Sequence, residues 1–421
     1  MPSFLSFIRR HVTRRRLLIF LCITIPFVLE SLWHVNSHKV STPAVPLDAP
    51  FISGCVEPDV SAPRENATAL MLARNEDIGG AIQTVKGWEQ QFNRFFHYPI
   101  LFLNNEPWSK SFIDELSAIA SGPVAFETIP KSMWDYPAFI DREAARKSIA
   151  AQGRQGVFKA GAESYHHMCR FFAGLFFDHA ALQGVEYVWR LEPDVVFPCA
   201  VPYDPFRAMR AARKKYGYAI ALWEVGDTAP SLFRAAAAFK AAHRLPTSGV
   251  WRALASPSWA PWPLRELLGA AGAHRDAAGA RWNQCHFWTN FEVAALSWMR
   301  SGEYRALFDA LDRSGGFYFE RWGDAPVHTL AAAMLLRPEE MHRFEDLGYG
   351  HPPFWACPQN APDGQLPQSL LLGPPDGLSA EREGAVGCRC SCFEEDKVAN
   401  FDGFCIRKFD EALRGKKNAW W

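Results

Sequence analysis

The chain has 421 residues, with 45 basic and 45 acidic side chains, so its formal net charge is zero and no long-range field favours nucleic acid as a partner. Apolar residues make up 48% and aromatic residues 14%, a composition that buries a large core and excludes general disorder. The length suits one large catalytic domain plus an anchor, or two modest domains.

Arg9, Arg10, Arg14, Arg15 and Arg16 crowd the start, and an apolar run from Leu17 to Trp33 follows, broken only by Pro26 and Glu30. A cleaved signal peptide is one reading, but Glu30-Ser31-Leu32-Trp33 makes a poor cleavage site. An uncleaved signal anchor is the preferred reading, although the run is short against the roughly 20 apolar residues of a normal span. The expected organisation is a basic cytosolic tail (1–16), a transmembrane anchor (17–33), a stem (34–65) and a lumenal catalytic domain with a cysteine-rich tail (66–421). The arginines would stay in the cytosol, and a short span suits a thin, early secretory membrane. An oxidising lumen would let most of the ten cysteines pair. Cys388-Arg389-Cys390-Ser391-Cys392 could also be read as a zinc knuckle, but its spacing lacks the CxxC pairs of structural zinc sites. Asn66-Ala67-Thr68 is a glycosylation sequon that runs straight into an apolar strand.

The apolar run Ala69–Ala73 is read as a buried strand, broken by Arg74-Asn75-Glu76-Asp77 and followed by an amphipathic helix. Ile100–Leu103, Val124–Ile129, Tyr187–Leu191 and Ala219–Leu222 are read as further strands, with helical patterns between them. Strands alternating with helices predict a mostly parallel sheet covered on both faces, with ligands beyond the carboxyl ends of the strands. Residues 235–280, rich in Ala, Trp and Pro, show little regular pattern and are read as a surface excursion. Residues 361–387 are read as a second loop.

Four constellations could carry chemistry. Glu192-Pro193-Asp194 ends the fourth strand, and its two carboxylates could hold a hard cation against donor phosphates; a solvated turn is the alternative. Thr289-x-x-Glu292 has the form of a capping box, with Phe291, Ala294, Ala295 and Trp298 following at helical spacing; the alternative makes Glu292 a nucleophile or cation stabiliser at an anomeric carbon. Glu320, Arg321 and Asp324 put charge beside aromatic rings after Gly315-Gly316, a mixture that suits sugars and bases, while Asp324 could cap a helix starting near Ala325-Pro326. His328, one turn on, is read as core-facing. His351, in a Gly/Pro-rich turn, could hold a metal or a phosphate, but by the residues alone an ordinary loop histidine is the preferred reading. His166 and His167 are adjacent on a helix and point in different directions, which argues against zinc there.

Tyr165-His166-His167-Met168-Cys169-Arg170-Phe171, Arg190-Leu191-Glu192-Pro193-Asp194-Val195, Cys285-His286-Phe287-Trp288-Thr289-Asn290-Phe291-Glu292 and Glu320-Arg321-Trp322-Gly323-Asp324-Ala325-Pro326-Val327-His328 stand in one order. Together with Ala73-Arg74-Asn75 and the Gly348–Pro353 turn, they resemble the fungal Golgi α-1,2-mannosyltransferases, glycosyltransferase family 15. The resemblance covers roughly Asn66 to Pro358. It implies a type II protein of the Golgi membrane with a GT-A-like fold. It also implies Mn²⁺, a GDP-mannose donor, a mannosylated glycan acceptor and retention of anomeric configuration. It places metal ligation on Glu192 and His351, the reacting sugar among Tyr165, Glu292 and Asp324, and donor contacts at Arg74, Asn75, Asp194, Glu320 and Arg321. Phe172-Ala173 replaces a more polar pair, and the 235–280 excursion is longer and more apolar than usual; both bear on acceptor choice. A transferase using another donor such as UDP-glucose, an inactive scaffold, and a metalloglycosidase are the competing functions.

Overall fold

The computed structural model describes residues 14–38, 50–362, 365–373, 378–392 and 403–413. Arg9 and Arg10 of the expected cytosolic tail, and residues 39–49 of the expected stem, lie outside them. Helix α1, Arg14–Ser37, runs through Pro26, and its part Ile19–Ser37 is long and apolar enough to cross a membrane.

The main sheet has seven strands. They are β1 (Ala67–Leu72), β2 (Ile100–Asn104), β3 (Val124–Thr128), β4 (Tyr187–Leu191), β5 (Tyr216–Tyr218), β8 (Glu292–Ala295) and β9 (Met341–Arg343). Their spatial order is β9-β5-β8-β4-β1-β2-β3. β1 pairs in parallel with both β2 and β4, and β8 enters antiparallel between β4 and β5. Strands buried on both faces need continuous apolar runs, which β1, β2 and β4 supply, whereas edge strand β3 has no buried residue. Alternate residues feed two cores. Leu70, Leu101, Val188 and Ala294 pack on one face; Met71, Phe102, Trp189 and Val293 pack on the other.

Two expectations, one about a strand and one about the 235–280 segment, are corrected. Ala219–Leu222 is not the fifth strand of the main sheet: Tyr216–Tyr218 takes that place, and β6 (Ala221–Trp223) turns away to pair with β7 (Cys285–Phe287). Gly217 sits within this strand because a Cβ there would lie 2.5 Å from the Phe344 ring, so only glycine lets that ring close over the strand. The 235–280 segment is helical rather than patternless, with α5 (Leu232–Ala242), α6 (Gly249–Leu254) and α7 (Leu264–Ala271). Its inner half supplies core side chains, among them Phe239, Val250 and Leu254.

Eight of the ten cysteines pair, as Cys55–Cys388, Cys199–Cys390, Cys285–Cys405 and Cys357–Cys392. The Cys388-Cys390-Cys392 run is therefore divided among three partners, Cys55 in the expected stem, Cys199 in the loop after β4, and Cys357, 35 residues upstream of Cys392. In the sequon, the Asn66 amide donates to the Gly184 carbonyl at 2.6 Å and Thr68 is buried.

Asp346, on the turn after β9, is buried and accepts from the Tyr203 hydroxyl at 2.6 Å. Burial pushes its carboxyl up to about 7 from an ordinary 3.8. The folded chain then holds this proton more tightly than the unfolded chain, so this site makes stability fall as pH rises from about 4 to about 7. At about 1.4 kcal/mol per pKa unit the loss is at most about 4 kcal/mol. Asp346→Asn is expected to flatten that slope and to raise the melting temperature at pH 8; thermal melts of both proteins from pH 5 to 8 check it.

Candidate active site

The site forms at the carboxyl end of β4. Arg190 sits on this strand next to the end, 4% exposed, on the same sheet face as Val188. Because β8 runs antiparallel, its first residue lies at that same end, and Glu292 stands directly across from Arg190. This overturns the reading of Glu292 as a helix cap. Phe291, Val293 and Ala295 alternate with Glu292 and Ala294 as strand residues, and Thr289 bonds elsewhere.

The Arg190 guanidinium gathers three carboxylates. Its Nη1 donates to Asp324 Oδ2 at 2.6 Å and lies 4.0 Å from Glu292 Oε1. Its Nε and Nη2 both donate to Glu192 Oε1, Nε at 3.0 Å. The Phe172 ring lies beneath it, 3.5 Å from Cζ to the ring centroid. Burial alone would lower its pKa, but Asp324, Glu192 and Glu292 outweigh burial and hold it above the ordinary value. Asp324 opens helix α8 (Asp324–Leu335), yet its carboxyl does not cap it. It accepts instead from Thr289 Oγ1 at 2.7 Å and from Arg190. Burial would raise Asp324, but Arg190, His328 and Thr289 keep it below the usual carboxylate range.

Glu292 is 1% exposed and accepts from the Tyr216 hydroxyl at 3.1 Å and from His328 Nδ1 at 2.9 Å. His328 is core-buried, as its place on the helix suggested, but it is also a partner of the site. Its Nε2 faces the Phe172 carbonyl at 2.9 Å. Both ring nitrogens therefore meet acceptors, which a doubly protonated imidazolium satisfies. Burial opposes that charge, while Glu292 and Asp324 overcome it and raise the His328 pKa. Three carboxylates therefore face at most two cations, Arg190 and His328.

The loop after β4 is pinned from helix α2 (Ile78–Trp88). Thr84 Oγ1 donates to the Glu192 carbonyl at 2.9 Å and accepts from Val195 N–H at 3.0 Å. Asp194 has a positive φ of 67° and rests on Gly80, where a Cβ would come within 2.3 Å of Asp194 Oδ1. Two residues on, Val196 exchanges both backbone hydrogen bonds with Gly350, each 2.8 Å. This bridge ties the Glu192 loop to β10 (Tyr349–His351), which pairs with β11 (Phe354–Ala356). His351 packs edge-on against Trp288, with ring centroids 5.3 Å apart, and its Nδ1 is buried without a hydrogen-bond partner. A carboxylate oxygen and an imidazole nitrogen suit a divalent cation such as Mn²⁺.

The remaining expected residues divide. Tyr165, on helix α4 (Glu163–Gly174), has its ring 5.6 Å from the Arg321 guanidinium. Burial, reinforced by Cys169, keeps its hydroxyl protonated well above 10. Arg321 pairs with Glu224 at 2.9 Å, and its Nε is buried without a partner. Glu320 accepts from the Ser231 N–H and the Trp322 indole, so it fastens chain segments together. The Asn75 amide bridges the Pro107 carbonyl and the Ser109 N–H. Arg74 is exposed, with its guanidinium on Asp77 and Glu76. His166 and His167 are spent on separate partners: His166 on the Phe317 and Ala160 carbonyls, His167 on the Tyr318 hydroxyl. Sequence reasoning gave no role to Arg190 or Tyr216, read Thr289 only as a helix cap, and gave Phe172 only a bearing on acceptor choice. The available signal was an arginine two residues before Glu192 inside an otherwise apolar buried strand.

A family described as glycolipid 2-alpha-mannosyltransferase matches residues 33–363. The O-glycoside alpha-1,2-mannosyltransferase homolog 4 of Schizosaccharomyces pombe is 35% identical, over 95% of this chain and 91% of that protein. The alpha-1,2 mannosyltransferase KTR1 of Saccharomyces cerevisiae is 39% identical, over 72% of each. Among solved structures, core-mannan synthase A of Aspergillus fumigatus, in its Mn/GDP form, superposes with a TM-score of 0.68 at 30% identity, covering 89% of this chain and 92% of that one. The S. cerevisiae mannosyltransferase Ktr4p in complex with GDP gives 0.64 at 30% identity, covering 79% and 88%. In sequence and in fold, the chain belongs to the glycolipid 2-alpha-mannosyltransferase family, glycosyltransferase family 15, and is a glycosyltransferase with a GT-A-like fold.

Proposed function

We propose that the chain moves mannose from GDP-mannose to the 2-hydroxyl of a mannose-ended protein glycan, with retention of configuration, at the Golgi membrane to which α1 anchors it. The observation that carries this reading is the cluster of buried Glu292 and Asp324 and half-buried Glu192 around Arg190, with more carboxylates than cations. A sugar losing its diphosphate becomes cation-like at the anomeric carbon, and buried carboxylates stabilise that charge most where water is excluded. Glu292 is the group assigned to the reacting face, as nucleophile or as charge stabiliser. Asp324 is held ionised beside it, and the protonated Tyr165 hydroxyl is a donor to the departing phosphate or to a sugar hydroxyl.

The same anionic cluster would repel a diphosphate. Both bonds from Arg190 to Glu192 fall on Oε1, so Oε2 is the oxygen available to a cation. Mn²⁺ held by Glu192 and His351 would neutralise the departing GDP. Arg74, Asn75, Asp194, Glu320 and Arg321 are assigned to the donor side, and Asn75 and Glu320 act there by holding loops in place.

The test is transfer by the full chain in detergent from GDP-mannose to a methyl mannoside, with and without Mn²⁺. An α-1,2-linked product that requires the metal is expected; transfer from UDP-glucose instead would replace the donor assignment. His351→Ala is expected to raise the Mn²⁺ concentration for half-maximal rate on the order of 10-fold or more, since even partners behind metal ligands cost 10–100-fold. An unchanged metal dependence would remove His351 from the metal site.

A further inference from the structure

Helix α7 is inside out. Leu264, Leu267 and Leu268 lie on one stripe, at i, i+3 and i+4, and are 54%, 65% and 50% exposed. Trp259 and Trp262, just before it, are 54% and 56% exposed. The one basic side chain of the helix points the other way: Arg265 is buried and pairs with Glu30 of α1 through both terminal guanidinium nitrogens, Nη1 at 3.2 Å. The Trp262 N–H also donates to Glu30, at 3.1 Å. A helix docked on a soluble body buries its leucines and exposes its arginine; here the order is reversed.

Glu30 explains the reversal. It is an acid within the apolar stretch Ile19–Ser37. At 1.5 Å per residue it lies about 10 Å short of Ser37. Charged groups at such depth occur paired, and amphipathic helices at a bilayer surface sink about 5–10 Å. The residue that neutralises Glu30 therefore brings its own helix to the depth where exposed leucines and tryptophans are most stable. We infer that Trp259, Trp262, Leu264, Leu267 and Leu268 form a second membrane contact, entering the lumenal leaflet beside α1, with Arg265–Glu30 as the bond that sets its depth. The occupant is the acyl–headgroup boundary of the bilayer, because the patch continues the apolar surface of α1. This inference rests on the anchor reading of α1. Its consequence is that the catalytic body is held close against the membrane rather than swinging freely on a stem.

The experiment uses the full chain with Cys22→Ser, leaving Cys169 buried and unreactive. Single cysteines are introduced as Leu267→Cys, Ile23→Cys on α1, and Ser117→Cys at an exposed position of helix α3 (Lys110–Ile119) in the catalytic body. Each is labelled with an environment-sensitive fluorophore and reconstituted in phosphatidylcholine nanodiscs, with or without lipids bearing a spin label on the acyl chain. Loss of fluorescence at 267 comparable to that at 23, with none at 117, is expected. Quenching at 23 without quenching at 267 would overturn the inference alone. No quenching at 23 would overturn the anchor reading and this inference with it. Shielding at 267 that depends on protein concentration and ignores the spin-labelled lipid would assign the face to a second copy of the chain and also overturn it.

Discussion

Glu292→Gln is expected to lower kcat on the order of 10³-fold while leaving the fold and the KM for GDP-mannose nearly unchanged. Glutamine keeps the shape, and its amide oxygen can still accept from the Tyr216 hydroxyl and His328 Nδ1, the two donors that Oε2 now satisfies. Its amide nitrogen can turn toward the side of Oε1, where Arg190 Nη1 stands at 4.0 Å with shorter bonds elsewhere. The change therefore removes a charge more than it removes contacts. That charge matters little to a neutral bound sugar and much to the cation-like transition state, so the loss falls on kcat. Steady-state kinetics with a thermal melt on the same sample check it. Near-normal kcat in a normally folded protein would take Glu292 out of the chemistry. A rise in KM alone would make it a ground-state binding group.

Arg190→Met is expected to cost about 3–5 kcal/mol of stability at pH 7.5, the usual penalty for stripping the partner from buried charges. Methionine fills the space over Phe172, but Asp324, 6% exposed, loses its principal cation, and Glu292, 1% exposed, keeps His328 and loses its more distant one. In the parent, Asp324 lies below its ordinary 3.8. Its contribution is therefore present above about pH 4 and is lost as pH falls through its folded value. In the variant the sign reverses: Asp324, stripped of Arg190, rises above its unfolded value, so the penalty shrinks as pH falls and it takes up a proton. Urea unfolding at pH 5 and pH 7.5 should show the gap between variant and parent narrowing at the lower pH. A variant as stable as the parent at pH 7.5 would mean that water already reaches the cluster and that Arg190 does not hold it together.

Much of this was legible in the sequence. Ala69–Ala73, Ile100–Leu103 and Tyr187–Leu191 are apolar runs of strand length, and a strand buried on both faces needs nothing more than its own residues to declare itself. Glu192, at the end of such a strand, was marked by Pro193 and by the rule that parallel sheets bind ligands at their carboxyl ends. The misreadings fall where pairing is non-local. Tyr216–Tyr218 is only three residues long and carries a glycine that a distant phenylalanine requires. Thr289-x-x-Glu292 has the letters of a capping box, but two unpaired strand edges, β4 and β5, offered the segment backbone partners that no local helix could match.

The residues of one strand, one loop or one turn were thus settled by the sequence itself: which segments are buried, where the chain stops being apolar, and which acids stand at those stops. Folding decided that Glu192, Glu292 and Asp324 share a single guanidinium, that Cys388, Cys390 and Cys392 each find a different partner, and that Glu30 finds Arg265. The physical reason is range. Periodicity and propensity act over a few residues, whereas these contacts join groups far apart in the chain and exist only once strand order and layer packing have placed them side by side.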